Sequence, residues 1–255
     1  MTNTLENKKT GNRGTCGPPA RSRPEARRRK ARKILTVLED CLGSELRSLR
    51  CLDLGCGGGV ISISLAETFA TVVGVDVHEP GLSKATEDSR HVKATFVAAD
   101  GLALPFAPET FDVVVCAQVY EHVPDPAKLM SEIHRVLKKN AVCFFSGPNR
   151  LAPIEEHYSV PFVHWLPKPL ADLSLRALGK GNAYNEKPLS YWGLRRLVSN
   201  FEVVDYTAKI IRSPAVYACE EEVRLGALFS RIPEGVMRGL TFAFPNYNWV
   251  LRKKR

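Results

Sequence analysis

Three glycines at alternate positions, Gly55, Gly57 and Gly59, follow the apolar run Leu52-Asp53-Leu54. Such a run ending in such a loop predicts a strand turning into a helix, and glycine lets backbone N–H groups approach a ligand where a Cβ would stand in the way. The dinucleotide fingerprint G-x-G-x-x-G is not met, because position 60 is Val60. Two later carboxylates extend the pattern. Asp76 closes Val72-Val73-Gly74-Val75 and lies 23 residues beyond Asp53, near the ~20-residue offset at which an acid meets ribose hydroxyls in nucleotide-binding βαβ units. Asp100 ends Val97-Ala98-Ala99, where it can accept from an adenine amino group. Together these residues predict a grip on a nucleoside-bearing cofactor.

Groups for proton transfer are sparser. Glu121 and His122 are adjacent, and a long stretch from Pro148 to Lys187 carries His157, Tyr158, His164 and Trp165. His157, then His122, are the candidate general bases, and Tyr158, His164 and Trp165 the candidate substrate contacts. Cys56 sits in the glycine loop without a neighbour in sequence that would activate it, so it reads as inert. His134, among charged residues, reads as part of a solvated helix face. The seven cysteines contain no CxxC pair, and no His/Cys/Asp spacing matches a metal site, so neither a disulfide framework nor a bound metal is expected.

The elements that must hold these residues alternate. Cys51 to Leu54, Thr71 to Val75, Thr95 to Ala98, Phe111 to Ala117 and Val142 to Ser146 read as strands, with helical patterns over Val60 to Phe69, Gly81 to Arg90 and Pro126 to Leu137. Parallel strands need crossovers and bury both faces, so the chain predicts a doubly wound α/β fold. Residues 24–255 form the domain, led by a helix from Pro24. Residues 1–23 are polar and aperiodic and read as a disordered basic tail. After the fifth strand the rhythm breaks over 148–187, and again over 213–239, with a helix at Ser190 to Val198 and a strand at Glu202 to Ile210 between the two excursions. A long connection at the carboxyl edge of a doubly wound sheet suits a substrate lid; an insertion whose Phe162 and Trp165 complete a core is the alternative.

Of the net charge of +9, Arg21 to Lys33 contributes +7 and Arg252 to Arg255 +4, leaving −2 for the rest. Basic ends on a near-neutral body suit docking arms better than a broad nucleic-acid face, although either can touch phosphate. Leu166, Leu170, Leu173, Ala177 and Leu178 recur at helical spacing among Lys168, Arg176 and Lys180, a pattern that covers a pocket or lies peripherally on a membrane. No signal-like or spanning apolar run is present, so a cytoplasmic protein with possible membrane contact is expected. Composition carries no sign of oligomeric state.

The segment from Leu52 to Ser146 resembles the class I S-adenosylmethionine-dependent methyltransferases, in particular those acting on quinones and sterols. Besides the glycine loop, Asp76 and Asp100, the resemblance rests on Phe111-Asp112-Val113-Val114-Val115, Glu121-His122-Val123-Pro124-Asp125-Pro126 and Glu132-Ile133-His134-Arg135-Val136-Leu137-Lys138. It implies a mostly parallel seven-stranded sheet with helices on both faces, and S-adenosylmethionine as cofactor. Gly55, Gly57 and Gly59 would pack against the methionine part and Asp53 hold its amino group. Asp76, beside Val77, would take the ribose hydroxyls, Asp100 and Gly101 face the adenine, and Gln118 border the sulfonium. The family's Pro-Gly-Gly turn before the fifth strand is replaced by Lys138-Lys139-Asn140-Ala141. The implied activity is methyl transfer to an O, N or C nucleophile of a small-molecule or lipid-like acceptor. An RNA methyltransferase using the basic tail, and a non-catalytic regulatory protein that binds the cofactor, are the alternatives.

Overall fold

A computed structural model describes residues 24–155, 158–220 and 232–254. The expected tail over 1–23 and His157 lie outside the described residues, as does 221–231 within the second excursion.

Strands β1 (Arg50–Leu54), β2 (Thr71–Asp76), β3 (Ala94–Ala98), β4 (Phe111–Ala117), β5 (Leu137–Pro148), β6 (Phe201–Asp205) and β7 (Asn246–Lys253) form one sheet. Their order is β3-β2-β1-β4-β5-β7-β6. Pairings among the first five strands are parallel, and β7 runs antiparallel to both its neighbours. This is the doubly wound sheet expected. The chain winds outward from β1 through β2 to β3, then crosses back to β4, so β1 and β4 flank the point where ligands bind in open α/β sheets.

Alternate residues feed two cores. Val114 and Cys116 of β4, Cys143 and Phe145 of β5 and Trp249 of β7 pack on one face with Leu129 and Ile133 of helix α4 (Pro126–Val136). Val113, Val115, Val142, Phe144 and Val250 pack on the other with Ile34, Val37 and Leu38 of α1 (Pro24–Leu42) and Leu65 of α2 (Val60–Ala66). Full burial of each such side chain stabilises by roughly 1.5–3 kcal/mol, which makes these central strands the rigid frame.

Local chemistry sets the ends. Asp125 accepts the N–H of Lys128 at 2.9 Å and Pro126 opens α4, a cap and a first-turn proline in their preferred places. Asn140 takes φ +63°, a left-handed conformation that asparagine tolerates better than most residues, so the turn survives without the family's glycines. The strand expected from Glu202 to Ile210 stops at Asp205. There the Asp205 carboxylate accepts the N–H of Thr207 at 2.8 Å and the chain continues as helix α7 (Thr207–Arg212). His134 is not on a solvated face: its ring packs edge-on against Phe201 at 5.3 Å, and burial lowers its pKa.

The insertion after β5 has a small core of its own, made by Tyr158, Val160, Val163, Ala171, Leu175 and Tyr184. Its two ends are stitched together at the sheet edge. Asn149 bridges Leu189, and Arg150 N–H donates to the Leu189 carbonyl at 3.0 Å. The buried Tyr120 hydroxyl donates to the Pro148 carbonyl at 2.5 Å and accepts the N–H of Leu189 at 3.1 Å.

A buried carboxylate locks α4 to the loop between β3 and β4. Glu132 accepts the N–H of Leu104 at 2.8 Å and is gripped by Arg135 through Nε and Nη2, both at 2.8 Å. Arg135 also donates to the carbonyls of Phe106 and Leu104. Glu132→Ala strands the guanidinium and the Leu104 N–H together and is expected to cost about 2–3 kcal/mol, read as a lower denaturant midpoint with an unchanged slope.

Candidate functional site

The glycine loop joins β1 to α2 and lies under the N-terminal part of α1. Gly55 and Gly59 take φ +73° and +72°, where L side chains are strained. A Cβ on Gly55 would stand 2.7 Å from Val119 Cγ2, and one on Gly59 only 2.5 Å from Ala85 Cβ. The glycines therefore let the loop turn while strand, helix and neighbouring loop close against it.

Asp76 fixes the loop from the next strand. One carboxylate oxygen accepts the N–H of Gly57 at 2.7 Å and the other the N–H of His78 at 2.9 Å. Each oxygen retains a second acceptor position, as a ribose diol requires. Val77 beside it is largely exposed. His78 in turn caps helix α3 (Glu79–Asp88), its Nδ1 accepting from Gly81 N–H at 3.2 Å.

Asp53 is placed differently from Asp76: it is buried beneath the loop and accepts the Ser62 hydroxyl at 2.5 Å. Burial pushes its pKa up to about 6, against the lowering effects of the Ser62 hydrogen bond and the positive charges of Lys30 and Arg27. It therefore carries a negative charge at neutral pH while remaining close to its titration point. Those two basic residues went unnoticed in the sequence, where they look like part of a solvated charge run. On α1 they are three positions apart and share a face, and Arg27 Nη1 would lie 3.4 Å from a Cβ on Gly57. They bring positive charge to the loop.

Asp100 is exposed beyond β3 and accepts the N–H of Leu102 at 2.9 Å. Gly101 lets that turn close onto Leu129, whose Cδ1 would be 3.1 Å from a Cβ there. Gln118, at the end of β4, takes φ +63° and donates its N–H to the Ser146 carbonyl at 2.8 Å. Its side-chain Oε1 is buried without a hydrogen-bond partner among the described residues. Cys56 is buried and its thiol pushed far above the usual range by burial, so it is no nucleophile at neutral pH.

The residues expected on the acceptor side separate. Tyr158 is buried within the insertion's own core rather than at its rim. His164 is buried, its Nε2 2.7 Å from the Ala152 carbonyl and its Nδ1 without a partner among the described residues, and burial lowers its pKa. With Glu155, Tyr184 and Glu186 it lines a cavity of about 10 Å³, room for about one water. Trp165 is 50% exposed and Phe162 47%. They touch each other at 4.8 Å between ring centres, and neither belongs to the insertion's buried core. His122, after β4, has its Nδ1 2.6 Å from Glu186 and its Nε2 3.8 Å from Glu121. Glu186 was invisible as a site residue because it lies 64 positions away in the chain. Among the described residues no group of three or more His, Cys, Asp or Glu is arranged to hold a metal ion.

A family model described as a methyltransferase domain matches residues 52–145. The ubiquinone biosynthesis O-methyltransferase of Pseudomonas syringae pv. tomato is 40% identical over 111 residues, which is 42% of this chain and 47% of that protein. The protein of the same name from Pseudomonas entomophila is 39% identical over 109 residues, covering 41% and 47%. The chain thus spans about half the length of the curated relatives it matches. Among solved structures, an S-adenosylmethionine-dependent methyltransferase from Mesorhizobium loti aligns with a TM-score of 0.55 at 18% identity, covering 87% of this chain and 98% of the other. The plantazolicin methyltransferase BpumL, solved with a monoazolic desmethylPZN analog and SAH, aligns with a TM-score of 0.58 at 15% identity over 92% and 86%. At these identities the structural likeness establishes the fold.

The Asp53 environment has a consequence for stability. Its folded pKa, near 6, exceeds the unfolded value of 3.8, so the folded chain binds the extra proton between these values and loses stability as pH rises through them. Asp53→Asn is expected to remove that dependence: relative to the variant, the parent protein should lose up to about 3 kcal/mol between pH 4 and pH 7, measured by denaturant titration at each pH.

Proposed function

We propose that this chain, which carries a class I S-adenosylmethionine-dependent methyltransferase domain over residues 52–145, transfers a methyl group from S-adenosylmethionine to a small-molecule or lipid-like acceptor held under the 148–187 insertion. The observation that carries the reading is the donor grip: Asp76 pinning the Gly57 N–H of the glycine loop. These groups fit the cofactor's chemistry. Asp76 would accept the ribose hydroxyls and Asp100 the adenine amino group, with Gly101 below the ring. Arg27 and Lys30 would face the carboxylate of the methionine part, and Asp53, from beneath the loop, its ammonium. Gln118 Oε1 would face the sulfonium.

The bound cofactor supplies an already activated methyl group, so what the protein contributes is alignment and exclusion of water. The glycine loop and the frame of β1 and β4 hold the donor side. The insertion, tied to β4 and β5 by Tyr120, closes the acceptor side. Where the attacking atom must lose a proton, His122 is the base among the described residues, and His157 remains a candidate from the sequence. An RNA substrate is less well supported. Within the basic run, Lys33 is buried and Arg27 and Lys30 turn toward the glycine loop instead of outward.

Lipid contact draws support from the insertion's outer side. Leu170 and Leu173 of α5 (Lys168–Ala177) are 51% and 56% exposed, next to Phe162, Trp165 and the basic Lys168 and Arg176. No helix among the described residues is long and apolar enough to cross a membrane. The reading is therefore peripheral: rings and leucines in the interface, basic groups at the headgroups.

Two experiments test this. With methyl-labelled S-adenosylmethionine and a cell extract that includes its lipid fraction, the protein should label a small molecule, and Asp76→Ala should bind the cofactor roughly 10–100-fold more weakly by calorimetry. Unchanged affinity in that variant, or protection against heat by NADH and none by S-adenosylmethionine, contradicts the reading. Separately, the protein should co-sediment with anionic vesicles, and Trp165→Ser combined with Leu170→Ser and Leu173→Ser should abolish this without changing cofactor affinity. Equal sedimentation of both proteins removes the membrane contact.

A further inference from the structure

We infer that Glu186 is a positioning residue for His122, setting its tautomer and its charge from the far end of the insertion. The inference rests on the methyl-transfer reading for its purpose but on geometry for its substance. Glu186 lies where the insertion returns to the sheet, held by Lys187 N–H donating to the Glu121 carbonyl at 3.0 Å and by Leu189 N–H on the Tyr120 hydroxyl at 3.1 Å. Its side chain is buried, with 3% exposed, and one oxygen stands 2.6 Å from Nδ1 of His122. The imidazole itself is 37% exposed, so the pair has a buried anchor and an outward-facing ring.

The contact lies outside hydrogen-bond geometry, so it acts through charge: a carboxylate this close to Nδ1 favours a proton there, which leaves the lone pair of the neutral ring on Nε2. It also stabilises the imidazolium that forms when Nε2 takes a second proton, the division of labour seen wherever a carboxylate orients a catalytic histidine. Glu121 faces the other nitrogen, but at 3.8 Å it is beyond direct hydrogen-bond reach and acts only through its charge. For an O–H acceptor the step balances. The oxygen lone pair forms the bond to the methyl carbon while the carbon–sulfur bond breaks, its electron pair staying on sulfur. The hydroxyl proton passes to His122 Nε2 and leaves from there to solvent.

Glu186 belongs to the insertion and His122 to the loop after β4, so the pair joins the insertion to the frame across 64 residues of sequence.

Nitrogen-15 NMR of the full-length protein reads this directly, with the His122 ring signals assigned by their loss in His122→Asn. In the parent protein the neutral ring should be the Nδ1–H tautomer. In Glu186→Gln, which preserves size, the His122 pKa should fall by about one pH unit or more and the two tautomers should mix. Glu186→Asp should restore part of both effects. Glu121 is present in all of these proteins, so the change belongs to Glu186. An unaltered His122 titration and tautomer in Glu186→Gln, with the melting transition intact, overturns the inference. The readout needs no methyl acceptor, so it can fail while methyl transfer stands and can succeed where transfer fails.

Discussion

Five strands that run parallel must each be followed by a return crossing, and that constraint places all five carboxyl ends along one edge of the sheet. The rest of the molecule follows from it. Residues far apart in the chain, Asp53, Asp76, Asp100, Gln118 and Asn149, come to one edge of the sheet because each lies at or just beyond a strand end. The two cores fed by alternate residues make the strands rigid. Their ends can then present charged and strained backbone conformations that a softer frame would relax. The left-handed turns at Gly55, Gly59 and Gln118 stand at this edge, and they are held by packing from Val119, Ala85 and Ser146.

The proposed donor side and the proposed acceptor side of the edge are built by different means. On the donor side the contacts are short-range in the fold and mostly involve backbone: Asp76 to the Gly57 N–H, glycines against neighbouring side chains, a serine on Asp53. Little there can move without breaking the sheet. On the acceptor side the insertion is joined to the frame through few hydrogen bonds, concentrated on Tyr120, Glu121 and Leu189. Asn149 secures the same corner from the other side, donating to the carbonyls of Phe242 and Phe244 and accepting the N–H of Leu151. The exposed side of the insertion mixes Phe162, Trp165, Leu170 and Leu173 with Lys168 and Arg176, while Glu155, Glu186, His164 and Tyr184 line a small cavity beside its own apolar core.

The donor side was legible in the sequence because its signals are local. A glycine loop follows its own strand, and the strand-end acids recur at the rhythm of the βαβ unit. Composition could not show that Asp53 is buried while Asp76 is turned toward the loop, since both are strand-associated acids. Arg27 and Lys30 were hidden inside a run of eight basic residues, only some of which turn inward. The acceptor side was legible as a region but not as residues. Tyr158 and His164 were singled out as chemically able side chains, yet one packs in a local core and the other lines a small cavity. Glu186 was missed because its significance comes from a contact across 64 residues. The expected strand from Glu202 to Ile210 ends early because the pattern of Val203, Val204 and Ile210 suits a strand, while the Asp205 side chain takes the Thr207 N–H where the helix begins and Ile210 is buried from that helix.

The separate core of the insertion, Tyr158 to Tyr184, carries an evolutionary consequence. A segment that satisfies its own apolar surface and re-enters the frame within a few residues of where it left behaves as a cassette. It can drift, lengthen or be replaced while the strands beneath keep their register. On the methyl-transfer reading proposed above, substitutions that remodel which molecule is admitted are thereby insulated from those that would loosen the hold on the donor, and divergence of acceptor choice among proteins with this frame should concentrate between Asn149 and Leu189.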